Sequence, residues 1–478
     1  MHTDKMIYNP ANGHVVRFGA RAMLLHVPTT ALFELDALGQ AVIGLAEEGD
    51  FDAQTLHSRM QGRFRQEDVA RFVDQLAELE VLQPPGGSRA LNPGRVKIDA
   101  YPLSTLVLNV NTGCNLSCTY CYKEDLQTPA RGERMSLAVA SRSVDLLLQQ
   151  AAERDRVAIV FFGGEPLTNM PLIRQVVEYA QRRGLESGKE VDFSLTTNAT
   201  LLTDERIDFF EQHRFGISIS MDGPKIIHDR NRRSVGGKGT YEVVARKARM
   251  LLHRYRAKPV GARVTLTAGT TEVEDIHAHL HGELGFHEVG YAPVTSSSVA
   301  GHALSSEDLA AVHAGFERLG QEYLRLAILG RNSGFSNMHQ LMTDLHEGRR
   351  KSLPCGAGVG LLAVDRSGGL NLCHRFTGSQ LPVFGDVTNG IDSQRLGEFL
   401  GRAADRSGTH CATCRIRNLC AGGCYHESYA RFGDPLHRTY HYCDLLRRWV
   451  DFGVRVYSEI MSCNPDFFRT HIQTRRAS

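Results

Sequence analysis

Thr105-Leu-Val-Leu-Asn-Val-Asn-Thr-Gly-Cys114-Asn-Leu-Ser-Cys118-Thr-Tyr-Cys121-Tyr122 joins an apolar run to three closely spaced cysteines. Thr105 to Val110 has the composition of a buried strand. The loop after it spaces its thiols C-x3-C-x2-C. Three thiolates on one short loop can hold three irons of a cubane cluster, which leaves a fourth iron open to an outside ligand. A structural zinc site would want a fourth protein ligand and typically shows paired C-x2-C knuckles.

Working outward, the stretch after this loop alternates between two periods. Apolar runs recur at Val157 to Phe162, Val191 to Leu195, Phe215 to Ser220, Ala262 to Thr267 and Glu288 to Ala292. Segments with helical periodicity separate them, near 136–153, 171–184, 203–213, 240–255 and 273–284. This alternation predicts an α/β architecture of parallel strands joined by right-handed crossovers. With the first strand there are six, fewer than a closed eight-stranded barrel needs. A partial (β/α)6 barrel, open at the side, is therefore expected, with its chemistry at the C-terminal ends of the strands. Phe161-Phe162-Gly163-Gly164-Glu165-Pro166 ends the second strand, and its paired glycines permit close backbone approach. Thr196-Thr197-Asn198 ends the third strand, Ser218 and Ser220 the fourth, and Arg263 lies on the fifth.

The remaining cysteines lie far downstream: Cys355-x12-Gly368-x4-Cys373, then Cys411-x2-Cys414-x5-Cys420-x3-Cys424, then Cys443 and Cys463. Taken alone, C-x2-C followed by C-x3-C could also make a tetrahedral zinc ribbon. Upstream of residue 90, His14 to Phe18 and Met23 to Val27 read as strands. Ala31 to Glu47, Ala53 to Gln61 and Gln66 to Glu80 read as helices, followed by a short apolar stretch at Val81 to Leu82. Pro84-Pro85-Gly86-Gly87-Ser88 reads as a linker. Two strands and three helices suggest a small winged-helix module.

Composition narrows the classes. A chain of 478 residues exceeds one ordinary core, so two or three domains are expected. A net charge of +2 gives no reason to expect a polyanionic partner. The third N-terminal helix, RQEDVARFVDQLAELE, carries more acid than base, which disfavours DNA binding. No apolar run is long enough for a membrane span. MHTDKMIYNPANGHVV lacks the apolar core of a secretory signal, so a cytoplasmic location is expected. There, eleven cysteines point to metal ligation before disulfides.

The three-cysteine loop resembles that of the radical S-adenosylmethionine superfamily, whose open iron chelates the amino and carboxylate groups of S-adenosyl-L-methionine. The resemblance implies that Gly163, Gly164 and Glu165 meet the cofactor's amino group, and that Thr197, Asn198 and Ser218 lie near its ribose. It also implies that Arg263 pairs its carboxylate and that Tyr120 stacks near adenine. The downstream cysteines resemble the SPASM extension of peptide-modifying radical enzymes. By that resemblance Cys411, Cys414, Cys420 and Cys443 ligate an outer cluster, and Cys355, Cys373 and Cys424 an inner one. Together with the Cys114, Cys118 and Cys121 cluster this makes three [4Fe-4S] clusters and leaves Cys463 over. An inner set of only three cysteines suggests an iron open to a substrate thiolate or to a non-cysteine side chain.

The stretch Cys114 to Leu126, together with an N-terminal module, resembles the thioether-forming maturases of quinohemoprotein amine dehydrogenase. Those enzymes join cysteine sulfur to Asp or Glu methylene carbons in a small γ subunit. Sulfatase maturases, a related alternative, carry an aspartate base directly after the equivalent of Cys373, where this chain has His374. A precursor peptide of a ribosomal natural product is another substrate the same chemistry would suit. The implied organisation is a winged-helix-like peptide-recognition domain over 1–90, a radical SAM partial barrel over 100–335, a SPASM domain over 345–460 and a tail over 461–478. The implied partners are a peptide bearing Cys and Asp/Glu, taken as an added strand by the N-terminal domain, and an electron donor such as flavodoxin or ferredoxin. Asp222, in Ser220-Met-Asp-Gly-Pro224, is the candidate general base for the substrate thiol; a turn aspartate is the plainer alternative.

Overall fold

Eight strands share one sheet in the computed structural model, which describes residues 5–86, 103–122, 132–151, 154–295, 301–438 and 441–472. They are β1 (Thr105–Asn111), β2 (Arg156–Gly163), β3 (Glu190–Thr197), β4 (Gly216–Ser220), β5 (Val260–Leu266), β6 (Glu288–Pro293), β7 (Leu361–Val364) and β8 (Leu370–Asn371). Their spatial order is 6-5-4-3-2-1-7-8. Every pairing is parallel except that of β7 with β8. The six expected strands are present in sequential order, as short right-handed crossovers require. β7 and β8 were not expected: each is too short to show a period.

Strands covered on both faces read as continuous apolar runs. Leu106, Val107, Leu108 and Val110 of β1 are accordingly buried throughout. Phe161, Phe193 and Phe215 stack with ring centroids 5.5–6.2 Å apart and tie β2, β3 and the approach to β4 together. Two of the crossover helices start on side-chain caps: Ser136 accepts from the Val139 amide, and Thr203 from the Arg206 amide. The helix expected over 273–284 is an α-turn, Val273–His277, running into a π-helical turn, Ala278–Glu283. His277 and His281 bond there to the backbone oxygens of Ser333 and Phe286.

Near the N-terminus three strands pair in order: Gly13–Phe18, Arg21–His26 and Ala31–Glu34. The third replaces the start of the helix expected over Ala31 to Glu47. Thr30 turns the chain with a φ of 61°, Ala31–Glu34 pairs antiparallel with Met23–His26, and the helix begins at Ala37 with Asp36 as its cap. Helical spacing of apolar residues is ambiguous over four positions, and the sheet edge decided it. Ala53–Met60 and Gln66–Glu78 are helices as read, and Leu82–Gln83 pairs with Ile7–Tyr8.

Both faces of the three-stranded sheet are used. Ala22 and Leu24 pack on the N-terminal helices, while Met23, Leu25 and Val27 join the main core. The long helix Cys443–Cys463 lies against the strands Gly13–Phe18 and Arg21–His26. Arg417 donates to the Ala11 carbonyl and Asn12 Oδ1, Asn418 to the Val27 and Pro28 carbonyls, and His14 bonds Asp451 at 2.8 Å. Gly87 and Ser88 of the expected linker, Lys123 to Leu126, and the tail beyond 472 lie outside the described residues.

Candidate active site

The three-cysteine loop leaves β1 through a register shift between Asn109 and Asn111. A bulge at a strand end re-aims the chain, and here it sends the loop across the C-terminal ends of the strands. Asn111 fixes its start, donating to the Gly113 carbonyl at 2.8 Å and to Thr168 Oγ1 at 2.6 Å. Further along, Ser117 and Thr119 donate backbone N–H groups to the Arg233 and Asn231 carbonyls. The loop is thus held at its start by the Asn111 side chain and further along by main chain.

The close backbone approach that the paired glycines permit is made to the cysteine loop itself. A Cβ on Gly163, whose φ is 149°, would lie 2.2 Å from the Asn111 carbonyl oxygen. One on Gly164 would lie 2.2 Å from the Gly113 carbonyl oxygen. The Gly164 amide donates to Asn111 at 2.8 Å, and that of Glu165 to Gly113 at 3.1 Å. Glycine is needed at both positions so that the β2 turn can lie directly on the cysteine loop.

Glu165 is buried beside it. Its carboxylate accepts from Thr197 Oγ1 (2.7 Å), the Asn198 amide (2.8 Å) and the Leu167 amide (3.0 Å), which clamps the ends of β2 and β3. Burial pushes its pKa up, and these three bonds pull it part of the way back.

A cavity of about 430 Å³ opens over these strand ends. Cys114, Cys118, Cys121, Tyr120, Gly163, Gly164, Glu165, Thr197, Asn198 and Arg263 all line it, so residues separated by up to 149 positions meet there. Ser218 does not, whereas Ser220 does. The two point the same way along β4, but Ser218 sits two residues, roughly 7 Å, further from the strand end.

Asp222 is also absent from the cavity wall. It is 1% exposed and is engaged by Arg232 Nε (2.9 Å) and Nη2 (3.2 Å), Tyr120 Oη (2.7 Å) and the Thr265 amide (3.1 Å). The structure therefore sets Asp222, expected as the base, behind the cavity wall, where both of its oxygens hold Tyr120, Arg232 and Thr265 in place.

Sequence reading assigned no site role to several polar groups on the wall, among them Arg232, His374 and Arg375. His374 and Arg375 follow Cys373 directly and enter the same cavity. His374 packs on Phe162 with centroids 4.2 Å apart, and Arg375 lies over the Tyr122 ring at 4.8 Å. Their position next to Cys373 was the available signal, but nothing local shows that the segment folds back over β2.

The downstream cysteines fall into two neighbourhoods. Cys411, Cys414, Cys420 and Cys443 line one small cavity. Cys355, Cys373 and Cys424 lie within mutual electrostatic reach. Cys463 is apart from both, exposed at the end of its helix. Among the described residues no group of three or more Cys, His, Asp or Glu side chains converges as a single metal ion would require. Burial pushes the Cys114 thiol up to about 12 and Cys118 to about 11, so thiolates there call for a cationic partner such as iron. The donor set fits a thiolate-ligated cluster.

Known proteins share parts of this arrangement. A model of the radical SAM superfamily matches residues 108–280. A cysteine-type anaerobic sulfatase-maturating enzyme of Clostridium perfringens is 31% identical over 161 residues, which is 33% of this chain and 42% of that enzyme. The match therefore spans about two fifths of that relative's length. The solved structure of anSMEcpe with bound AdoMet superposes with a TM-score of 0.61 at 20% identity, covering 77% of this chain and 99% of the other. That of Streptococcus suis SuiB bound to the precursor peptide SuiA gives 0.52 at 13% identity, covering 92% and 99%.

Proposed function

From the premise that residues 108–280 form a radical SAM domain related to the sulfatase maturases, we propose that this chain modifies a cysteine-bearing peptide or protein. The modification we favour is a thioether bond between a cysteine sulfur and an Asp or Glu methylene carbon, as in maturation of the quinohemoprotein amine dehydrogenase γ subunit. The observation that carries the reading is the single cavity shared by the three-cysteine loop, the Gly-Gly-Glu turn and the His374–Arg375 segment.

In this reading Cys114, Cys118 and Cys121 hold a [4Fe-4S] cluster that binds S-adenosyl-L-methionine. Cys355, Cys373 and Cys424 hold an inner auxiliary cluster, and Cys411, Cys414, Cys420 and Cys443 an outer one. When bound, the reduced cluster and the sulfonium cofactor supply a 5′-deoxyadenosyl radical able to take hydrogen from an unactivated C–H bond. The chain's own residues bind and orient. Glu165, Thr197 and Asn198 fix the strand ends against which the cofactor lies, and Arg263 offers a planar guanidinium to its carboxylate. Tyr120, locked by Asp222, forms the adenine wall. The substrate enters from the side of His374 and Arg375, beneath the inner cysteine set.

The N-terminal region would recognise the peptide through the outer edge of Ala31–Glu34, whose one strand partner among the described residues is Arg21–His26. An added strand there gains main-chain hydrogen bonds. A flavodoxin- or ferredoxin-like protein would deliver electrons. The domain limits 1–90, 100–335 and 345–460, and the curl of the large sheet into a partial barrel, belong to the same proposal. No helix among the described residues is long and apolar enough to cross a membrane.

A second reading, oxidation of a Ser or Cys side chain without a crosslink, is favoured by the names of the curated relatives. His374 in place of the aspartate of those enzymes weighs against it. Anaerobically reconstituted protein with dithionite is expected to release 5′-deoxyadenosine. Mass spectrometry of the treated substrate then separates the two. Loss of two hydrogens with the cysteine no longer alkylatable indicates a crosslink, whereas a carbonyl product indicates side-chain oxidation. No 5′-deoxyadenosine refutes both.

A further inference from the structure

Among the described residues the cavity wall carries three guanidinium groups, two of which have a carboxylate partner. Arg232 is bound by Asp222 at 2.9 Å, and Arg263 lies 3.9 Å from Glu288. Arg375 has no carboxylate within ion-pair distance among the described residues. Its Nη1 donates to Thr295 Oγ1 at 2.5 Å, and its plane sits over Tyr122. Among the described residues the one acidic side chain on the cavity wall is Glu165, which is turned into β3 and occupied there by Thr197 and Asn198.

We propose that Arg375 is the specificity-determining residue of the substrate pocket and that it takes a carboxylate of the peptide, an Asp or Glu side chain. The inference rests on the peptide-modifying reading and assigns the residue that would select its acidic side chain. The Cys373 thiol lies within electrostatic reach of Arg375 but offers no planar acceptor, whereas the guanidinium fork matches a carboxylate in two parallel bonds. Thr295 and Tyr122 occupy one donor and one face, which orients the remaining donors. Arg375 lines the cavity that also holds Cys114, Cys118 and Cys121, so a carboxylate held there would bring its methylene into the same cavity as the first cysteine loop. Arg263 stays with the cofactor, which leaves the two anions separate cationic partners.

The test uses the full chain, anaerobically reconstituted and supplied with S-adenosyl-L-methionine, and a pair of synthetic peptides. One carries a Cys and a Glu; the other has Gln in place of the Glu. Wild-type enzyme is expected to bind the Glu peptide about tenfold to a hundredfold more tightly, the range for a hydrogen-bonded ion pair. Arg375→Gln is expected to erase this preference with iron content and S-adenosyl-L-methionine affinity unchanged. Arg375→Lys, which keeps the charge and loses the fork, is expected to retain part of it.

Equal affinity of wild-type enzyme for the two peptides overturns the inference, as does a preference that survives Arg375→Gln. A variant that loses cofactor affinity or iron in place of the Glu preference overturns it too, because Arg375 then serves the cofactor or the cluster. Release of 5′-deoxyadenosine by wild-type enzyme, measured in parallel, keeps the two claims apart. Its absence removes the peptide-modifying reading, whereas its presence without a Glu preference removes only the role of Arg375.

Discussion

Replacing Asp222 by alanine removes one partner of a buried ion pair whose side chains are 2% and 8% exposed. The loss leaves the Arg232 guanidinium, the Tyr120 hydroxyl and the Thr265 amide without their acceptor. Breaking a buried pair on one side costs about 3–5 kcal/mol. The Tyr120 hydroxyl alone would add roughly 1–3 kcal/mol, but groups sharing one acceptor are not additive. We therefore expect a total of about 4 kcal/mol. The cost should be local, because β4, β5 and the cysteine loop meet at this carboxylate. Hydrogen exchange of the holoprotein, read by mass spectrometry on peptides covering 105–122 and 260–266, reports such local opening directly. Adding Arg232→Met to Asp222→Ala should restore most of the protection, because an apolar pair of similar volume is often as stable as a buried ion pair. If Asp222 only positions its neighbours, the double variant also regains substrate modification. Exchange unchanged in Asp222→Ala, or a double variant that opens more easily than the single one, would refute the reasoning. A double variant with native packing but no substrate modification would return Asp222 to the chemistry.

Three further outcomes follow from the same geometry. Gly164→Ala should lower iron bound at the first cysteine loop, because its Cβ meets the backbone of Gly113 and the loop itself must shift; iron and sulfide analysis checks this, and native content would contradict it. Cys355→Ala should remove about four of roughly twelve irons per chain and leave 5′-deoxyadenosine release under dithionite intact; loss of all cluster iron would show that the sets do not assemble separately. Arg417→Ala leaves the Ala11 carbonyl and Asn12 Oδ1 unpaired in a buried site, at about 1–3 kcal/mol; limited proteolysis should then cut more readily within residues 5–30, with the large sheet unaffected.

The chain by itself determined the features that depend on local spacing. Thiols with three and two residues between them share one loop, and Val-, Ile- and Phe-rich runs alternating with amphipathic segments read as parallel strands covered on both faces. The placement of the Gly-Gly-Glu turn and of Thr197 and Asn198 at strand ends follows from the same period, and the cavity collects them for that reason. Tertiary structure decided whatever depends on a partner distant in sequence. Ala31–Glu34 is a strand because Met23–His26 offers it an edge. Gly163 and Gly164 are required by the backbone of Asn111 and Gly113. Ser218 falls short of the cavity while Ser220 reaches it. Asp222 is withdrawn from solvent by Arg232, ten residues on, and Arg375 enters the cavity only because the segment after Cys373 folds back over β2. A side chain's chemistry is written in its own residue, but whether that chemistry is free to act depends on which charges and acceptors the fold sets against it.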